Sequence, residues 1–510
     1  MLADEGERGQ AKLPGLGPRD SGLGARLDEG RVPGSQCGTV IRPMRIAWFS
    51  PLPPNRSGIA AYSADLFPRL APHDIEAFVD DSPGQDAAGR TAVEGATVRG
   101  AHDFPWRHAR QPYDAVVYHV GNDICHDYMW PYLVRYPGLV VLHDGQLHQA
   151  RAQGLIRQHR EADFKAEFAY SYPDVPPVMA DLIIAGLGRT MCYFWPMVRV
   201  PVESARVVAV HNASFARDLA EQFPGRVIRR IHLGVPDPLA SQMAPVRDVR
   251  RRHGIPDGAV VFGSFGRVTP EKGLTAVLRA LAQVAPSLPA IRLLIVGDVP
   301  HYFDVMAQAR ELGVEPFVVQ TGYVAEPSLP EYLAAVDVCL NLRWPTGRET
   351  SAAWLRCLAA GKPTVISDLV HQGDVPSVDL RSMRVAGTGA GALDPICVRI
   401  DLLEEVRMLR LALRRLAEDA DLRLTLGRAA RQYWERLGTL GLMARDYEAL
   451  LEETRAAPAP ARPSRWPVHL AADGSAAARA LVSQVGVPWP FDSAAARVEP
   501  ARHQAMPDRQ

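Results

Sequence analysis

The chain has 510 residues, more than one hydrophobic core holds, so at least two domains are expected. Its 57 basic and 57 acidic residues cancel, which excludes a strongly basic nucleic-acid-binding surface or a polybasic membrane patch as its main feature. The 6 cysteines are scattered without paired spacing, which argues against a disulfide framework or a cysteine zinc site.

The N-terminus and the apolar stretches bear on location. Residues 1–43 are rich in Gly, Arg, Asp and Pro without periodicity, which predicts a disordered extension. No apolar run is long enough to span a bilayer or resembles a signal peptide, so a cytoplasmic location is expected. The alternative is a peripheral location at the inner face of the membrane, because the aromatic stretch 191–198 could contact a lipid-linked substrate or a membrane surface. Core packing is the commoner role of such a stretch.

Residues 44–236 alternate strand and helix patterns and predict a first doubly wound domain. After the first strand at 44–49, a loop with Ser57 and Gly58 leads into a helix over about 59–67. Further strands are predicted over 75–79, 115–119, 139–142, 207–210 and 227–231, and residues 155–200 are expected to be helical. The loop lacks the GxGxxG spacing, so the sequence has no dinucleotide fingerprint there.

Polar side chains stand at the ends of two of these strands. His119 ends the strand at 115–119, and His143, Asp144 and His148 follow the strand at 139–142. In open parallel sheets, ligands bind beyond the carboxyl ends of the strands. Imidazole and carboxylate groups also bind metals, but these residues lack tight ligand spacing, so no metal site is predicted. We expect hydrogen bonds to a polar substrate, with ordinary loop histidines as the alternative.

Residues 237–440 predict a second doubly wound domain, in which parallel strands alternate with helices. Its strands are expected over 260–265, 292–296, 317–321, 338–342 and 363–367, and its helices include 301–312 and 328–336. Leu- and Arg-rich helices follow over 401–455, and the Ala/Pro-rich tail 456–510 is expected to be mostly disordered.

A turn bounded by Gly266 and Gly273 connects the strand at 260–265 to a helical pattern. Arg267 and Lys272 lie in this turn. The helix end offers free N–H groups and the positive end of the dipole, and both cations suit phosphate oxygens. The turn therefore predicts a phosphate-binding site, and an ordinary strand-to-helix turn with two solvated cations is the alternative.

This arrangement resembles the family 4 (group 1) retaining glycosyltransferases, which have the GT-B fold. The resemblance covers about 44–455 and implies an α/β protein whose two Rossmann-like domains face each other across a cleft. It also implies that a C-terminal helix over 441–455 crosses back to the N-terminal domain. The motifs that carry the resemblance are Ser57-Gly58, His143-Asp144, Gly266-Arg267, Lys272-Gly273, Gly297, Gly322, Glu349-Thr350-Ser351 and Ala359-Ala360-Gly361-Lys362-Pro363.

The resemblance implies roles for individual residues. Arg267 and Lys272 would hold the diphosphate of the sugar donor, Glu349 would contact the transferred sugar, and His143 would lie near it. Tyr323 and Val324 would lie near the nucleobase. The other residues with an implied role in binding the sugar donor are Gly58, Asp144, Gly266, Gly297, Thr350, Ser351, Ala352 and Arg356.

One position departs from the family pattern. The family carries two glutamates separated by seven residues, and the second commonly holds the nucleotide ribose. Here the second position is Arg356 and the first is Arg348, so Glu349 fits only after a shift of one residue. Since a guanidinium has only hydrogen-bond donors, it cannot accept from a ribose hydroxyl.

The implied reaction moves a sugar from a UDP- or GDP-linked donor to an acceptor hydroxyl with retention at the anomeric carbon. The expected acceptor is a carbohydrate, a lipid-linked molecule or a small molecule, as in bacterial polysaccharide or glycoconjugate biosynthesis. No cofactor, metal or nucleic-acid partner is expected. The alternatives are a non-catalytic GT-B scaffold that binds nucleotide sugars, and a GT-B sugar phosphorylase or epimerase. Replacing Arg267 or Lys272 with alanine is expected to lower transfer by about 10²-fold or more.

Overall fold

The computed structural model describes residues 42–80, 92–188, 191–240, 246–387, 394–472 and 476–486. Of the N-terminal extension predicted over 1–43, residues 1–41 lie outside the described residues. The sheets and helices below belong to one compact unit that begins at Pro43.

The first sheet has seven strands in the order β3-β2-β1-β4-β5-β6-β7, and each neighbouring pair is parallel. Strands β4, β5 and β6 are buried along their whole length, as expected for a parallel sheet covered on both faces. The strand order reverses between β1 and β4, which opens a crevice at their carboxyl ends. The strands are β1 (Arg45–Phe49), β2 (Asp74–Val79), β3 (Thr97–Gly100), β4 (Ala115–Val120), β5 (Leu139–Leu142), β6 (Val207–Val210) and β7 (Ile228–Arg230).

The helices of the first domain follow the predicted alternation, with one difference. The stretch 155–200 is not one helical region, because several short helices share it and Gly186 breaks one of them with a φ of 86°. The helices are α1 (Gly58–Leu66), α2 (Phe104–Arg110), α3 (Trp130–Leu133), α4 (His148–Arg157), α5 (Glu161–Ser171), α6 (Val178–Leu182), α7 (Arg199–Ser204) and α8 (Ala213–Gln222).

The second sheet has eight strands in the order β10-β9-β8-β11-β12-β15-β13-β14. Among the described strands, the β13–β14 pair alone is antiparallel. The order reverses between β8 and β11, which makes a second crevice. The strands are β8 (Val260–Phe265), β9 (Ile291–Val296), β10 (Val318–Gln320), β11 (Val338–Asn341), β12 (Thr364–Ser367), β13 (Ser377–Asp379), β14 (Arg384–Ala386) and β15 (Cys397–Ile400).

In the second half of the chain, the helices predicted over 301–312 and 328–336 are shorter in the structure, at Val305–Glu311 and Leu329–Ala335, and a 3₁₀ turn over Glu326–Ser328 precedes the second of them. The helices are α9 (Val246–Arg252), α10 (Leu274–Val284), α11 (Val305–Glu311), α12 (Leu329–Ala335), α13 (Ala352–Ala359), α14 (Glu405–Glu418), α15 (Ala420–Leu437), α16 (Leu440–Ala456), α17 (Val468–Ala471) and α18 (Ala476–Gln484). The two doubly wound sheets confirm the predicted α/β fold class.

Helix α16 packs against elements of the first domain, including α1 and strands β4, β5 and β6. The hydroxyl of Tyr447 lies 2.8 Å from the hydroxyl of Tyr62 on α1, and both side chains are buried. His73 forms a second contact, at 2.8 Å from Glu448. These contacts join helix α16 to the first domain, beside the strand ends that carry His119 and His143.

Replacing Tyr447 with phenylalanine should lower the free energy of unfolding by about 1–3 kcal/mol, because it leaves the buried Tyr62 hydroxyl unpaired. Replacing both tyrosines with phenylalanine should restore most of that loss, since neither hydroxyl then remains to be satisfied. Denaturant unfolding of the two single variants and the double variant tests this coupling. Additive losses in the double variant would contradict it.

Part of the tail differs from the expected disorder. Trp466 packs on Tyr170 with ring centroids 5.5 Å apart, and His469 lies 2.7 Å from the buried Glu167 of α5. A proline- and alanine-rich composition predicts no core, but two anchoring side chains are enough to hold the segment against a neighbouring domain. Beyond residue 486, the predicted tail lies outside the described residues.

The aromatic stretch 191–198 is divided between the interior and the surface. Cys192, Met197 and Val198 are buried, whereas Phe194 is 77% exposed. Core packing thus accounts for most of the stretch, and Phe194 is left at the surface. Among the described residues, no helix combines the length and apolarity needed to cross a bilayer.

Candidate functional site

Three glycines shape the edge of the second sheet at the carboxyl ends of β8 and β9. Gly266 has a φ of 88°, and Gly273 has a φ of 65° where α10 begins, so both take the left-handed conformation that glycine allows. A Cβ on Gly297 would lie 2.2 Å from the carbonyl oxygen of Gly266. Gly297 also donates its N–H to the carbonyl of Gly322 at 3.0 Å. The glycines therefore let three connecting segments approach closely at this edge.

The structure separates the two predicted cations of the turn. Lys272 turns back into the protein, donates to the carbonyl of Phe265 and lines a cavity at the carboxyl ends of β8 and β11. Burial, and secondly the charge of Arg343, lower the pKa of Lys272 to about 7. The side chain of Arg267 is 61% exposed, lies outside the cavity lining, and stands 3.9 Å from Asp123 of the first domain.

Glu349 lines the same cavity, in the loop that precedes α13. Its Oε1 lies 2.7 Å from Nε of Arg343, and its Oε2 lies 3.2 Å from the hydroxyl of Thr346. Glu349 lies before the helix, because α13 begins at Ala352 and Ser351 is its N-cap. Ser351 has extended backbone and its hydroxyl accepts from the N–H of Trp354, whereas Glu349 makes no such cap.

The cavity combines a cationic part with neutral polar groups. The N-terminal end of α13 enters its wall beside Arg343 and Lys272, and a helix N-terminus favours anions. Two carboxamides also line it: Oδ1 of Asn341 and Oε1 of Gln372 are buried and accept no hydrogen bond from the described residues. Buried acceptors are normally paired, so both atoms suit hydroxyl groups of a ligand. The full lining is Phe265, Lys272, Leu340, Asn341, Leu342, Arg343, Glu349, Ser351, Ala353, Trp354, His371 and Gln372.

The first domain faces this cavity with the predicted His143-Asp144 pair. The backbone N–H of Gly145 donates to the carbonyl of Gly347, two residues before Glu349. The carboxylate of Asp144 accepts from the N–H of Asn122 at 2.8 Å. Burial, and then the nearby charge of Glu349, raise the pKa of Asp144 to about 7. Carboxyl groups from both domains therefore meet at one place in the cleft.

Arg356 lies outside the cavity lining and bridges the two domains. Its guanidinium is 2.8 Å from Glu326 and 3.7 Å from Asp65 of α1. Burial raises the pKa of Asp65 to about 6, and Arg356 opposes this shift. Arg348 is also engaged across the cleft, in an ion pair with Asp218 of α8. The two arginines at the family's glutamate positions thus hold carboxylates of the first domain.

The remaining predicted residues lie around the cavity. The exposed ring of Tyr323 is covered by Arg56, whose guanidinium carbon is 4.2 Å from the ring centroid. Gly58 is exposed at the start of α1, and a Cβ there would meet no atom within 4 Å, so close packing does not explain this glycine. Val324 packs against the apolar layer around β8 and α12. Thr350 and Ala352 flank Ser351 at the start of α13.

Sequence reasoning missed several residues of the site. Asn341 and Arg343 had a usable signal, since Asn341 ends β11 and Arg343 follows it at the carboxyl end of the sheet, where ligands bind. His371 and Gln372 had no comparable signal, because a 3₁₀ turn after β12 brings them to the cavity. The structure joins Lys272, Glu349 and Ser351 in one lining and leaves Arg267 and Arg356 at its periphery.

Comparison with known proteins relates part of this chain to glycosyltransferases. Residues 259–379 match the family model described as glycosyl transferases group 1. An alpha-monoglucosyldiacylglycerol synthase of Streptococcus pneumoniae is 30% identical over 120 residues, which cover 24% of this chain and 27% of that protein. A GDP-mannose-dependent alpha-(1-6)-phosphatidylinositol monomannoside mannosyltransferase of Mycolicibacterium smegmatis is 34% identical over 90 residues, 18% of this chain and 23% of that protein. The chain thus matches about a quarter of the length of these relatives.

Solved structures extend the likeness to both domains. The crystal structure of Anabaena HepE in complex with UDP and glucose covers 80% of this chain and 99% of its own, with a TM-score of 0.53 and 17% identity. At this identity the likeness concerns the fold, and that fold is GT-B. Residues 259–379 therefore match the group 1 glycosyltransferase family, and the two domains together have the GT-B fold.

Proposed function

We propose that the protein transfers a sugar from a nucleotide diphosphate sugar to an acceptor hydroxyl. The observation that carries the proposal is the cavity in which Lys272, Arg343 and the N-terminal end of α13 converge. When the bond between the sugar and the diphosphate breaks, negative charge grows on the leaving diphosphate. Fixed cations and helix N–H groups stabilise charge where it develops, without reorganisation of solvent.

The proposal includes retention at the anomeric carbon and independence of a metal. The cavity contains two cationic side chains, Lys272 and Arg343, that would stabilise the leaving diphosphate. A metal ion performs this task in other enzymes. The oxygens of Glu349 already interact with Arg343 and Thr346, so this carboxylate is poorly placed to act as a nucleophile. We therefore favour attack by the acceptor on the face that the diphosphate leaves, with a leaving-group oxygen taking the acceptor's proton.

Incubation of the protein with UDP- and GDP-linked sugars and a panel of acceptors tests this function. Release of nucleoside diphosphate that depends on the acceptor would support transfer, and it should persist in the presence of a chelator. The anomeric proton coupling in the NMR spectrum of the product then reports its configuration. An inverted product would contradict retention, and loss of activity with the chelator would contradict metal independence.

The acceptor is proposed from the relatives, two of which carry lipid names, diacylglycerol in one and phosphatidylinositol in the other. A third relative, from Streptomyces kanamyceticus, is named for 2-deoxystreptamine, a small molecule. We propose a lipid-linked, carbohydrate or small-molecule acceptor, and a cytoplasmic protein that works in solution or at the membrane periphery. The exposed Phe194 is compatible with the peripheral location.

A non-catalytic module that binds nucleotide sugars is the second candidate. Arg348 and Arg356, at the family's two glutamate positions, are both engaged with carboxylates of the first domain, and this observation favours it. Calorimetry that detects binding of nucleotide sugars, with no turnover over a wide acceptor panel, would select this candidate. Conversion of the sugar donor alone would instead reveal an epimerase, and a requirement for phosphate would reveal a phosphorylase.

Replacing Asn341 with leucine should lower the affinity for a nucleotide sugar by roughly 10- to 100-fold and leave the affinity for the free nucleoside diphosphate within about 2-fold. The reason is that Asn341 supplies an unpaired buried acceptor beside the cationic part of the cavity. Gln372→Met should act in the same direction. Calorimetry with UDP and UDP-glucose, or with GDP and GDP-mannose, separates the two affinities, and an equal loss of both would contradict the prediction.

A further inference from the structure

Two histidines of the first domain are joined at the carboxyl ends of neighbouring strands. Nδ1 of His119, on β4, lies 2.8 Å from Nε2 of His143, which follows β5. His119 has no exposed surface, and Trp48 stacks on its ring at a centroid distance of 4.6 Å. His143 is partly exposed, in the residue pair that faces the cavity of the second domain. The two rings therefore connect the interior of the first sheet to the cleft.

Both rings are held in the neutral form. Burial above all, and then the neighbouring His211, lower the pKa of His119 and of His143 well below the usual range. At 2.8 Å, a neutral pair shares one proton, so one ring donates and the other accepts. The tautomer of each ring then follows from which of the two donates.

The second nitrogen of His119 indicates the direction of this hydrogen bond. Nε2 of His119 is buried and has no hydrogen-bond partner among the described residues. If His119 accepted from His143, its own proton would sit on Nε2 as an unpaired N–H. If His119 donates from Nδ1, Nε2 is left with an unpaired lone pair. Unpaired buried N–H groups are rarer than under-satisfied acceptors, so donation from His119 is favoured.

The surrounding rings fix the orientation of His143. The edge of Tyr62 packs against it at a centroid distance of 4.8 Å, and His211 packs at 5.1 Å. The hydroxyl of Tyr62 already pairs with Tyr447, so Tyr62 contributes packing here and leaves the imidazole nitrogens to other partners. The same pairing links the His143 environment to helix α16.

We infer that His119 is a positioning residue that donates its Nδ1–H to Nε2 of His143 and holds His143 as the neutral Nδ1–H tautomer. His143 therefore acts as a hydrogen-bond donor toward a substrate oxygen in the cleft and does not act as a base. The effect on turnover rests on the proposed glycosyl transfer, whereas the tautomer is a property of the protein alone.

The tautomer is measured on the wild-type protein labelled with ¹⁵N-histidine, by solid-state NMR at neutral pH. The spectrum of a His143→Gln variant identifies the His143 signals by difference. We expect a protonated Nδ1 and an unprotonated Nε2 at both His143 and His119. A protonated Nε2 at His143, or a charged imidazolium, would overturn the inference even if no sugar transfer were ever found.

Variants of His119 then separate positioning from packing. His119→Asn keeps an N–H near the position of Nδ1, so it should retain the His143 tautomer and most of the turnover. His119→Leu removes the N–H, so it should give mixed tautomers and lower kcat by about 10- to 100-fold, with KM for the sugar donor little changed. His253→Asn, at a half-exposed histidine beside Tyr332, is the matched control. Equal losses in the Asn and Leu variants, with an unchanged tautomer, would show a packing role only.

Discussion

Replacing Lys272 with methionine should lower sugar transfer by about 10²- to 10³-fold, the loss that follows removal of one group stabilising transition-state charge. Lys272 is half-buried and lines the cavity beside Arg343, where its charge can stabilise the leaving diphosphate. Methionine keeps most of the volume and removes the charge, so the fold should survive. Initial rates at saturating and at limiting nucleotide sugar measure the effect.

Two variants calibrate this result. Lys165→Met removes a half-exposed lysine whose partner is Asp181, so it should leave transfer unchanged. Arg267→Met should cost less than Lys272→Met, because Arg267 is mostly exposed and lies outside the cavity lining. Transfer within a few-fold of wild type in Lys272→Met would remove this residue from the diphosphate site.

The affinity for a nucleoside diphosphate should fall by up to about ten-fold per pH unit as the pH rises above 7. The pKa of Lys272 is lowered to about 7, so this lysine is largely uncharged in the free site at pH 8 to 9. A bound diphosphate favours the ammonium form, so binding must take up a proton in this range, and affinity decreases with pH. Calorimetry in buffers of different ionisation enthalpy should detect an uptake approaching one proton at pH 8.

Two further variants assign this pH dependence. Lys272→Arg carries a guanidinium that stays charged, so its affinity should fall less steeply between pH 7 and 9 than the affinity of the wild type. Asp144, whose pKa is also about 7, becomes anionic over the same range and acts in the same direction. Asp144→Asn removes that contribution and should leave the remaining slope to Lys272. A flat affinity in the wild-type protein would contradict a neutral lysine in the free site.

Local pattern was sufficient for eleven of the fifteen described strands and for the turn that holds Lys272, whereas β3, β13, β14 and β15 were not predicted. The strand at Val260–Phe265 and the helix after Gly273 were predicted because buried apolar runs and helical spacing are properties of neighbouring residues. The turn that combines them carries its own glycines at the required backbone positions. The separation of Lys272 from Arg267 was not predictable from the local sequence. Lys272 lies near Arg343, and Arg267 lies near Asp123 of the first domain, and both neighbours are distant in the chain.

The start of α13 shows a conflict that spacing could not resolve. Glu349, Thr350 and Ser351 are all plausible first residues of a helix, and an acidic residue is favoured in the first turn. In the structure, Ser351 is the N-cap of the helix, and Glu349 forms an ion pair with Arg343 in the cavity. That choice depends on a contact with a residue on the preceding strand end, which the local sequence does not encode.

Contacts distant in sequence account for most of the remaining differences. His119 and His143 were recognised as polar strand ends, but their pairing requires β4 and β5 to be neighbours in the sheet. The anchoring of the tail by Trp466 and His469 depends on α5, about 300 residues earlier in the chain. Arg356 was identified as a departure from the family pattern, and only the packed structure shows its carboxylate partners on both sides of the cleft.

The cavity around Lys272 is proposed to bind the diphosphate of a nucleotide sugar. A thermal-shift screen with UDP, GDP, UDP-glucose and GDP-mannose tests it most directly, with the wild-type protein and Lys272→Met compared side by side. A ligand at about 100 times its dissociation constant stabilises the folded protein by about 2.7 kcal/mol, which is readily detected. At least one nucleotide should raise the Tm of the wild type, and the shift should be lost or strongly reduced in Lys272→Met. No shift with any of the four, or an equal shift in both proteins, would contradict it.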